Sequence, residues 1–228
     1  FDLTAYRFKP HWQGRYDWSE FGHSDYYATN HLYAPDGRSI LFGWIRGWAP
    51  GHGWNGCMGI SRDVRVDGQG VLRTPPIAEM TALRSALMVE KSHIALEDDN
   101  YSLGAVAGSQ YELHCRLSMG SAETAGFDQC LAQDGSMAHR LWIDRAGVHL
   151  DRVHIPLSEA ELAQPIDVRL FMDHSVAELF VDGGRYCAVR VLQDFDAAST
   201  GLGLFSQGGQ AVFHDLQIWS LRGCDNHI

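Results

Sequence analysis

Short strand patterns separated by turn residues fill the second half of this 228-residue chain and most constrain its fold. Apolar and β-branched residues recur in short runs, with Gly, Asp and Ser between them at fairly regular intervals. The runs cover residues 92–96, 111–117, 138–144, 147–151, 166–172, 176–181, 186–191, 201–206 and 210–221. Asp182-Gly183-Gly184 is the clearest hairpin turn, and residues 158–162 predict one helical turn. Such spacing predicts an antiparallel β-sandwich, in which two sheets close over inward-facing side chains.

The first part of the chain also reads as strands. Residues 1–13 alternate, with Tyr6, Phe8 and Trp12 on one parity, as expected for a strand with one buried face. The turn Asp36-Gly37 precedes a central strand over residues 39–45, and a second hairpin joins 58–66 to 70–74. Apolar residues at helical spacing predict a helix over 77–87. We therefore expect a domain boundary there, with residues 1–87 in one domain and 88–228 in the sandwich.

Aromatic and polar residues crowd together between residues 16 and 29, around Gly22, His23 and Asp25. A hydrophobic core tolerates so many polar groups only if each finds a partner, so this mixture indicates a pocket rim. A long glycine-rich loop follows over residues 47–56, where Trp48 and Trp54 are expected to hold it in place. Loops of this kind often border functional sites.

Charge and hydropathy exclude several classes of partner. The formal net charge of -10 repels phosphate backbones and anionic lipid, so nucleic acid and membrane surfaces are not expected partners. No run approaches the roughly 18 apolar residues of a membrane helix. The chain starts within a strand pattern and without Met, from which we expect sequence upstream of Phe1. Cytoplasmic and secreted locations both stay open.

Cysteine and histidine spacing predicts neither a metal site nor a cofactor. The cysteines, Cys57, Cys115, Cys130, Cys187 and Cys224, lack the C-x-x-C pairs of zinc sites and are predicted to be mostly buried thiols. A bridge between Cys115 and Cys130 stays open as an alternative, because sequence does not supply the Cα separation that a disulfide requires. The twelve His form no metal-binding pair.

Carboxylates are the remaining candidates for chemistry, since the phosphate-loop, serine-elbow and zinc-protease motifs are absent. Two facing carboxylates can cleave a glycosidic bond as acid and nucleophile. The candidates are Asp17, Asp25, Asp63, Glu79, Asp173 and Glu178. No spacing selects a pair among them, and a single carboxylate is more often solvated or ion-paired.

Several ordered motifs follow one another along the chain. They are Asp17-Trp18 with Asp25-Tyr26-Tyr27-Ala28, then 36–45, Gly53-Trp54-Asn55-Gly56 through Arg62-Asp63-Val64, 67–84, and 173–184. Together these segments resemble glycoside hydrolase family 32, which holds invertases, inulinases, levanases and related fructosyltransferases. Ser61 and Asp63-Val64 depart from the family's usual proline and Glu-Leu. The resemblance covers nearly the whole chain.

The resemblance implies an all-β protein, the last blade or so of a five-bladed β-propeller followed by an antiparallel β-sandwich. It also implies hydrolysis of terminal β-fructosyl linkages of sucrose, inulin or levan type with retention. The family's W-x-N-D-P-N, R-D-P and E-C motifs carry its catalytic carboxylates, and none of the three is present here. We therefore expect no catalytic residue in this segment, Asp63 included.

By the same resemblance, Asp25, Tyr27 and Trp44 are the expected substrate-binding residues. A furanose ring presents an apolar face and hydroxyls, which suit an aromatic surface beside a carboxylate. Tyr26 is expected in the core because it faces the other side of its strand. Glu178 is expected to have a structural or interfacial role.

Two hypotheses follow. In the first, the chain is part of a β-fructosidase, with a fructosyl sugar as substrate and upstream propeller blades, on the same or a companion chain, as partners. In the second, it is a non-catalytic carbohydrate-binding or interaction module. A homo-oligomer stays open in both, as does the choice between hydrolysis and fructosyl transfer.

Overall fold

The computed structural model describes residues 3–7, 14–20, 25–51, 53–105, 109–132, 134–193 and 195–223. Phe8, Trp12, Gly22, His23 and Cys224, to which the predictions above refer, lie outside the described residues. More than half of the described residues lie in strands and few lie in helices, which confirms the predicted all-β class. In this part of the chain no helix is both long and apolar enough to cross a membrane.

The N-terminal strands form a small five-stranded sheet, except for β1 (Asp17–Trp18), which joins another sheet. The small sheet consists of β2 (Tyr26–Tyr33), β3 (Ser39–Ile45), β4 (Cys57–Met58), β5 (Arg62–Val66) and β6 (Leu72–Arg73). Its strands run in the order β2-β3-β5-β6, with β4 beside β3, and all pairs are antiparallel. The predicted turn at Asp36-Gly37 joins β2 to β3.

Two of the predictions for the first part of the chain are wrong in detail. Tyr6 lies in a turn and is 82% exposed, so the predicted N-terminal strand does not form at residues 3–6. A 3-10 helix covers only Ala78–Leu83 of the predicted helix, and β7 (Arg84–Glu97) begins directly after it. Backbone pairing of this stretch with a C-terminal strand outweighs its helical spacing.

The rest of the chain forms a sandwich of two antiparallel sheets with one short helix, α1 (Glu159–Leu162), where a helical turn was predicted. Its remaining strands are β8 (Asn100–Ala105), β9 (Gln110–Ser118), β10 (Thr124–Leu131), β11 (Met137–Asp144), β12 (Gly147–Leu150), β13 (Val153–Pro156), β14 (Ile166–Asp173), β15 (Val176–Val181), β16 (Tyr186–Val191), β17 (Gly201–Gln207) and β18 (Gln210–Leu221).

The two sheets of the sandwich enclose one apolar core. The seven-stranded sheet has the order β1-β16-β15-β14-β9-β18-β7, and the six-stranded sheet β13-β12-β11-β10-β17-β8. Buried side chains from both sheets, such as Leu113, Phe127, Leu170 and Phe213, fill the space between them. Alternation along each strand directs these residues inward, which confirms the predicted sandwich.

Strand β1 links the N-terminal part of the chain to the sandwich. It runs parallel to β16, with Asp17 opposite Cys187 and Trp18 opposite Ala188. This pairing adds a seventh strand at the edge of the larger sheet. The side chain of Asp17 is buried at the junction of the two regions. The division into residues 1–87 and 88–228 stays a prediction.

Candidate substrate site and its support

The predicted substrate-binding residues lie together at one end of β2 and β3. Tyr27 and Trp44 are opposite each other in the antiparallel pair, so their side chains lie on one face, with ring centroids 6.2 Å apart. Tyr27 is 48% exposed and Trp44 is half-buried. Asp25 directly precedes β2, and its carbonyl oxygen accepts a hydrogen bond from the Arg46 amide at 3.3 Å. Tyr27 and Trp44 thus form one aromatic surface, and the backbone of Asp25 adjoins it.

Arg46 belongs to this surface, although the sequence reasoning did not select it. Its guanidinium carbon lies 4.2 Å from the centroid of the Tyr27 ring, a cation–π geometry. The signal that could have found it is parity, because Arg46 follows Trp44 by two positions and so extends the same face. We call Tyr27, Trp44 and Arg46 the aromatic wall.

The reverse side of the wall is a tightly packed core around Tyr26, which confirms the prediction that Tyr26 is buried. Its ring lies directly on Gly43 and Gly59. A Cβ atom at Gly43 would come within 2.3 Å of the ring, and one at Gly59 within 2.6 Å, so neither position accommodates a side chain. The Tyr26 hydroxyl lies 3.3 Å from the Leu41 carbonyl oxygen and 3.2 Å from that of Ile60, to either of which it can donate.

Behind Tyr26 lies a buried ionic group that joins the small sheet to the sandwich. Arg62 is fully buried, and its Nη1 atom lies 2.6 Å from Oδ2 of Asp17. Its guanidinium carbon is 3.8 Å from the Tyr26 ring centroid, and Nη2 is 3.7 Å from Oε2 of Glu178. Glu178 also accepts a hydrogen bond from the Ile60 amide at 2.8 Å. We call Asp17, Tyr26, Arg62 and Glu178 the Arg62 cluster.

The charges in this cluster do not balance when both carboxylates are ionised. One guanidinium then faces two carboxylates in a site almost without solvent, where a net charge is costly. Burial raises the pKa of Glu178 to about 7, although Arg62 and the Ile60 amide oppose that rise. Glu178 therefore exchanges a proton near neutral pH, while Arg62 stays cationic. This position agrees with the structural or interfacial role expected for Glu178.

Apolar contacts complete the junction. Tyr26 and Ile45 of the small sheet pack against Val176, Val189 and Val191 of β15 and β16. In the glycine-rich loop, Trp48 and Trp54 contact edge to face at 4.9 Å, and the Trp48 indole donates a hydrogen bond to Ser175 Oγ at 3.1 Å. The two tryptophans thus hold the loop as predicted.

A cavity of about 290 Å³ lies at the same junction. Ile45, Met58 and Ile60 line it from the small sheet, and Phe171 and Val176 from the sandwich. Asp25, Tyr27 and Trp44 do not line it. The cavity therefore lies on the reverse side of the wall. The shallow surface formed by Tyr27 and Trp44 is the better candidate site, because aromatic rings suit the apolar face of a sugar.

Several other candidate carboxylates are engaged by neighbouring groups. Glu79 bonds the Arg38 guanidinium, and this hydrogen bond lowers the pKa of Glu79 to about 2. Asp173 accepts a hydrogen bond from the Gln110 side chain at 2.8 Å. Neither arrangement resembles an acid and a nucleophile held free to react. The expectation that this chain holds no catalytic residue stays a prediction.

The cysteines within the described residues are free thiols. Cys115, Cys130 and Cys187 are buried, as predicted, and Cys57 is exposed. The alternative of a Cys115–Cys130 bridge is wrong. Across the described ranges, no three His, Cys, Asp or Glu side chains are grouped closely enough to hold a metal ion.

Comparison with known proteins gives matches along nearly the whole chain. The family model described as glycosyl hydrolases family 32 C terminal matches residues 79–220. The model described as glycosyl hydrolases family 32 N-terminal domain matches residues 1–76. Together the two matches cover both the small sheet and the sandwich.

Individual relatives match most of this chain but a smaller share of their own length. A levanase from Bacillus sp. (strain L7) is 27% identical over an alignment of 232 positions, which covers 90% of this chain and 24% of the levanase. A sucrose-6-phosphate hydrolase from Zymomonas mobilis subsp. mobilis (strain ATCC 31821 / ZM4 / CP4) is 31% identical over 224 residues, 89% of this chain and 42% of that protein. The chain thus spans less than half the length of these two relatives.

A solved structure shows the same fold. Fructan 1-exohydrolase IIa from Cichorium intybus superposes with a TM-score of 0.72 at 17% identity, over 92% of this chain and 49% of the exohydrolase. At such identity the likeness concerns the fold alone. The small sheet corresponds to the end of a β-propeller, and the sandwich follows it, as predicted.

Proposed function

Because the chain belongs to glycosyl hydrolase family 32, we propose that it forms one substrate-binding wall of a β-fructosidase. The complete enzyme hydrolyses terminal β-fructosyl linkages of sucrose, inulin or levan type with retention. In this proposal Asp25, Tyr27 and Trp44 contact the fructosyl unit, and the catalytic carboxylates lie outside the chain. The observation that carries the proposal is the exposed aromatic wall, with Tyr27 and Trp44 on one face beside Asp25.

The chemistry of the wall suits a furanose. A sugar ring stacks its C–H face on an aromatic ring, which removes apolar surface from water on both partners. The Tyr27 ring is already held by Arg46 at 4.2 Å, so little side-chain freedom is lost on binding. A carboxylate such as that of Asp25 accepts hydrogen bonds from sugar hydroxyls and fixes the orientation of the ring.

The relatives support a fructosyl substrate. They include a levanase and several sucrose-6-phosphate hydrolases, and one is a raffinose invertase from Escherichia coli that is 25% identical over 92% of this chain. Because the chain spans less than half of these relatives, we propose that upstream propeller blades, on the same or a companion chain, complete the site. The 228 residues alone are then inactive.

A second candidate function is binding without turnover. The described carboxylates Asp17, Glu79 and Glu178 are all bonded to arginines, which favours a chain that holds a sugar or a partner but has no acid and nucleophile of its own. In that case the chain acts as a carbohydrate-binding or interaction module. The two candidates differ in what an upstream half adds.

One experiment separates them. Sucrose and inulin hydrolysis is measured with the 228-residue chain alone, and with the upstream half of a family relative supplied in fusion or as a second chain. We expect no turnover by the chain alone and turnover by the completed protein. Substantial hydrolysis by the chain alone contradicts the proposed location of the carboxylates. Fructoside binding without turnover in every completed form favours the module.

The wall itself is tested by Trp44→Ala. Loss of the stacking surface is expected to weaken fructoside binding about tenfold, since aromatic contacts of this kind contribute roughly 1–2 kcal/mol. Isothermal titration with a fructoside measures the affinity. Trp142→Ala is the matched control, because Trp142 is also half-buried but stacks on His149 at 4.6 Å on the six-stranded sheet. Equal affinities for wild type and Trp44→Ala remove Trp44 from the site.

A further inference from the structure

We propose that Glu178 and Arg62 are positioning residues, through which the sandwich sets the position of the aromatic wall. Glu178 belongs to β15 of the sandwich, and Arg62 to β5 of the small sheet. Neither side chain is on the exposed face that carries Tyr27 and Trp44. The inference rests on the proposed function, since it assigns a cause for the geometry of that same site.

The wall and its support are alternate residues of the same two strands. Tyr26 precedes Tyr27 on β2, and Gly43 precedes Trp44 on β3. Successive side chains of a strand point to opposite faces, so whatever fixes Tyr26 and Gly43 from behind also fixes Tyr27 and Trp44 in front. The absence of side chains at Gly43 and Gly59 lets Tyr26 lie flat against the backbone.

Glu178 holds this backbone from the sandwich side. Its Oε1 atom accepts the Ile60 amide at 2.8 Å, and the preceding amide, that of Gly59, donates to the Gly43 carbonyl at 2.9 Å. Two hydrogen bonds and one peptide unit therefore connect a sandwich carboxylate to the residue before Trp44. The bond to Ile60 is shielded from solvent and involves an ionisable acceptor, so it is stronger than an ordinary exposed one.

Arg62 supplies the second connection. It lies over the Tyr26 ring and binds Asp17, whose strand β1 pairs with β16 of the sandwich. The guanidinium is fully buried and thus has no water to replace a lost partner. Tyr26 is held between this cation and the two glycines. Movement of Arg62 or Glu178 is therefore transmitted to β2 and β3 together.

The position of Glu178 depends on its protonation. The ionisable groups around it come from five strands: Asp17 of β1, Tyr26 of β2, Cys57 of β4, Arg62 of β5 and Cys187 of β16. Arg62 is the single cation among these groups. When Glu178 ionises as pH rises, its attraction to Arg62 increases. We expect a small shift of the Tyr26 and Gly43 backbone, and with it a change in the surroundings of Trp44.

Fluorine NMR of the 228-residue chain labelled with 5-fluorotryptophan tests this without any sugar. The Trp44 signal is assigned with Trp44→Phe, and its chemical shift is followed from pH 5 to 9 in wild type and in Glu178→Gln. We expect a titration with a midpoint near pH 7 in wild type and none in Glu178→Gln. Glu112→Gln is the matched control, because Glu112 is also buried between two arginines, Arg84 and Arg169, away from the wall.

The outcomes separate positioning from general stability. A Trp44 signal that titrates identically in wild type and Glu178→Gln overturns the proposal. So does an equal disturbance by Glu112→Gln, because loss of global stability then explains both. Glu178→Gln preserves the shape of the side chain and the acceptor for Ile60, so it is expected to fold, and its circular dichroism spectrum is compared with that of wild type.

Sugar binding is measured separately so that the two proposals fail independently. Glu178→Leu removes the acceptor for Ile60 and is expected to weaken fructoside affinity about tenfold, with Glu178→Gln within about twofold of wild type. A completed wild-type protein that binds no fructoside, while the Trp44 signal of the 228-residue chain depends on Glu178, contradicts the proposed function and supports the positioning role. Unchanged affinity in Glu178→Leu overturns the positioning role.

Discussion

Two strands that lie near each other, β2 in the small sheet and β15 in the sandwich, differ sharply in burial. All residues of β15 are buried, because the sandwich core covers one of its faces and the small sheet covers the other. In β2 the first residue, Tyr26, is buried and every following residue is exposed. Strand β15 is thus covered on both faces, whereas β2 is covered only at its first residue.

The sandwich has a core made of its own residues, whereas the buried residues of the small sheet pack mainly against the sandwich. The buried apolar residues Tyr26 and Ile45 pack against Val176, Val189 and Val191. A single sheet with one covered end buries too little apolar surface to offset the entropy lost on folding. The order of the aromatic wall therefore depends on the sandwich core more than the sandwich core depends on the small sheet.

The largest test of that dependence is Phe127→Ala in the sandwich core. Phe127 is almost fully buried and contacts Phe213 edge to face at 5.5 Å, so its truncation is expected to cost about 4 kcal/mol. Urea unfolding followed by Trp44 fluorine NMR and by far-ultraviolet circular dichroism measures both regions. We expect both probes to shift to the same lower midpoint. If the Trp44 signal keeps its wild-type midpoint, the small sheet does not depend on the sandwich.

The second test is Arg62→Ala, which removes the cation between the small sheet and the sandwich. Removing this side chain leaves two buried carboxylates without their cation, at an expected cost of about 3 kcal/mol. Hydrogen exchange is expected to accelerate in β2 and β3 and to change little in β14. Arg38→Ala is the control, since the Arg38 pairs with Asp36 and Glu79 are largely exposed and should contribute little to stability. Equal acceleration in β14 would show that the two regions unfold as one unit.

The third test uses pH, because Glu178 at the junction binds a proton when the chain folds. The pKa of Glu178 rises from 4.5 to about 7 in the folded chain, so the folded state holds a proton that the unfolded state releases between these values. Stability from this group is complete below about pH 4.5 and is lost as pH rises to about 7, by roughly 3 kcal/mol. Urea unfolding at several pH values should show this decline in wild type and its absence in Glu178→Gln. Parallel pH profiles for the two proteins would contradict it.

The smallest expected effect is that of Tyr33→Ser at the far end of β2. Tyr33 is 73% exposed, so its replacement is expected to change the free energy of unfolding by no more than about 0.5 kcal/mol. If the proposed upstream blades cover β2, the same change costs more in the completed protein. Thermal unfolding of both forms provides the comparison. A large cost in the 228-residue chain alone would show that β2 has support from within this chain.

The sequence was informative where the structure depends on local chemistry. Asp36-Gly37 and Asp182-Gly183-Gly184 marked real turns, and Ser158 caps α1 as its sequence suggests, with Glu161 completing a capping box. The strands missed include β1, β8, β10 and β13. In β10 the segment Thr-Ala-Gly-Phe-Asp-Gln-Cys-Leu breaks alternation, because Gln129 is buried and accepts a hydrogen bond from Tyr111 in the opposite sheet.

The candidate site likewise has one part that the sequence predicts and one part that it does not. Parity along β2 and β3 places Tyr27 with Trp44 and Tyr26 behind them, which sequence can predict. The Arg62 cluster joins residues from β1, β2, β5 and β15, and no local pattern reports contacts between positions so far apart in the chain. Asp17 and Glu178 were both considered as carboxylates, but their shared partner emerges only from the packing of the small sheet on the sandwich.

The pairing of β1 with β16 has a practical consequence for protein engineering. A chimera joined at a single cut between the small sheet and the sandwich would separate residues that pair with each other. Here a transplanted sandwich would arrive without Asp17 and Trp18, which pair with its edge strand, and without Arg62, the partner of its Glu178. A functional exchange must therefore carry three separate pieces of sequence: β1, the strand that contains Arg62, and the sandwich. The residues that form the interface have to be transferred together.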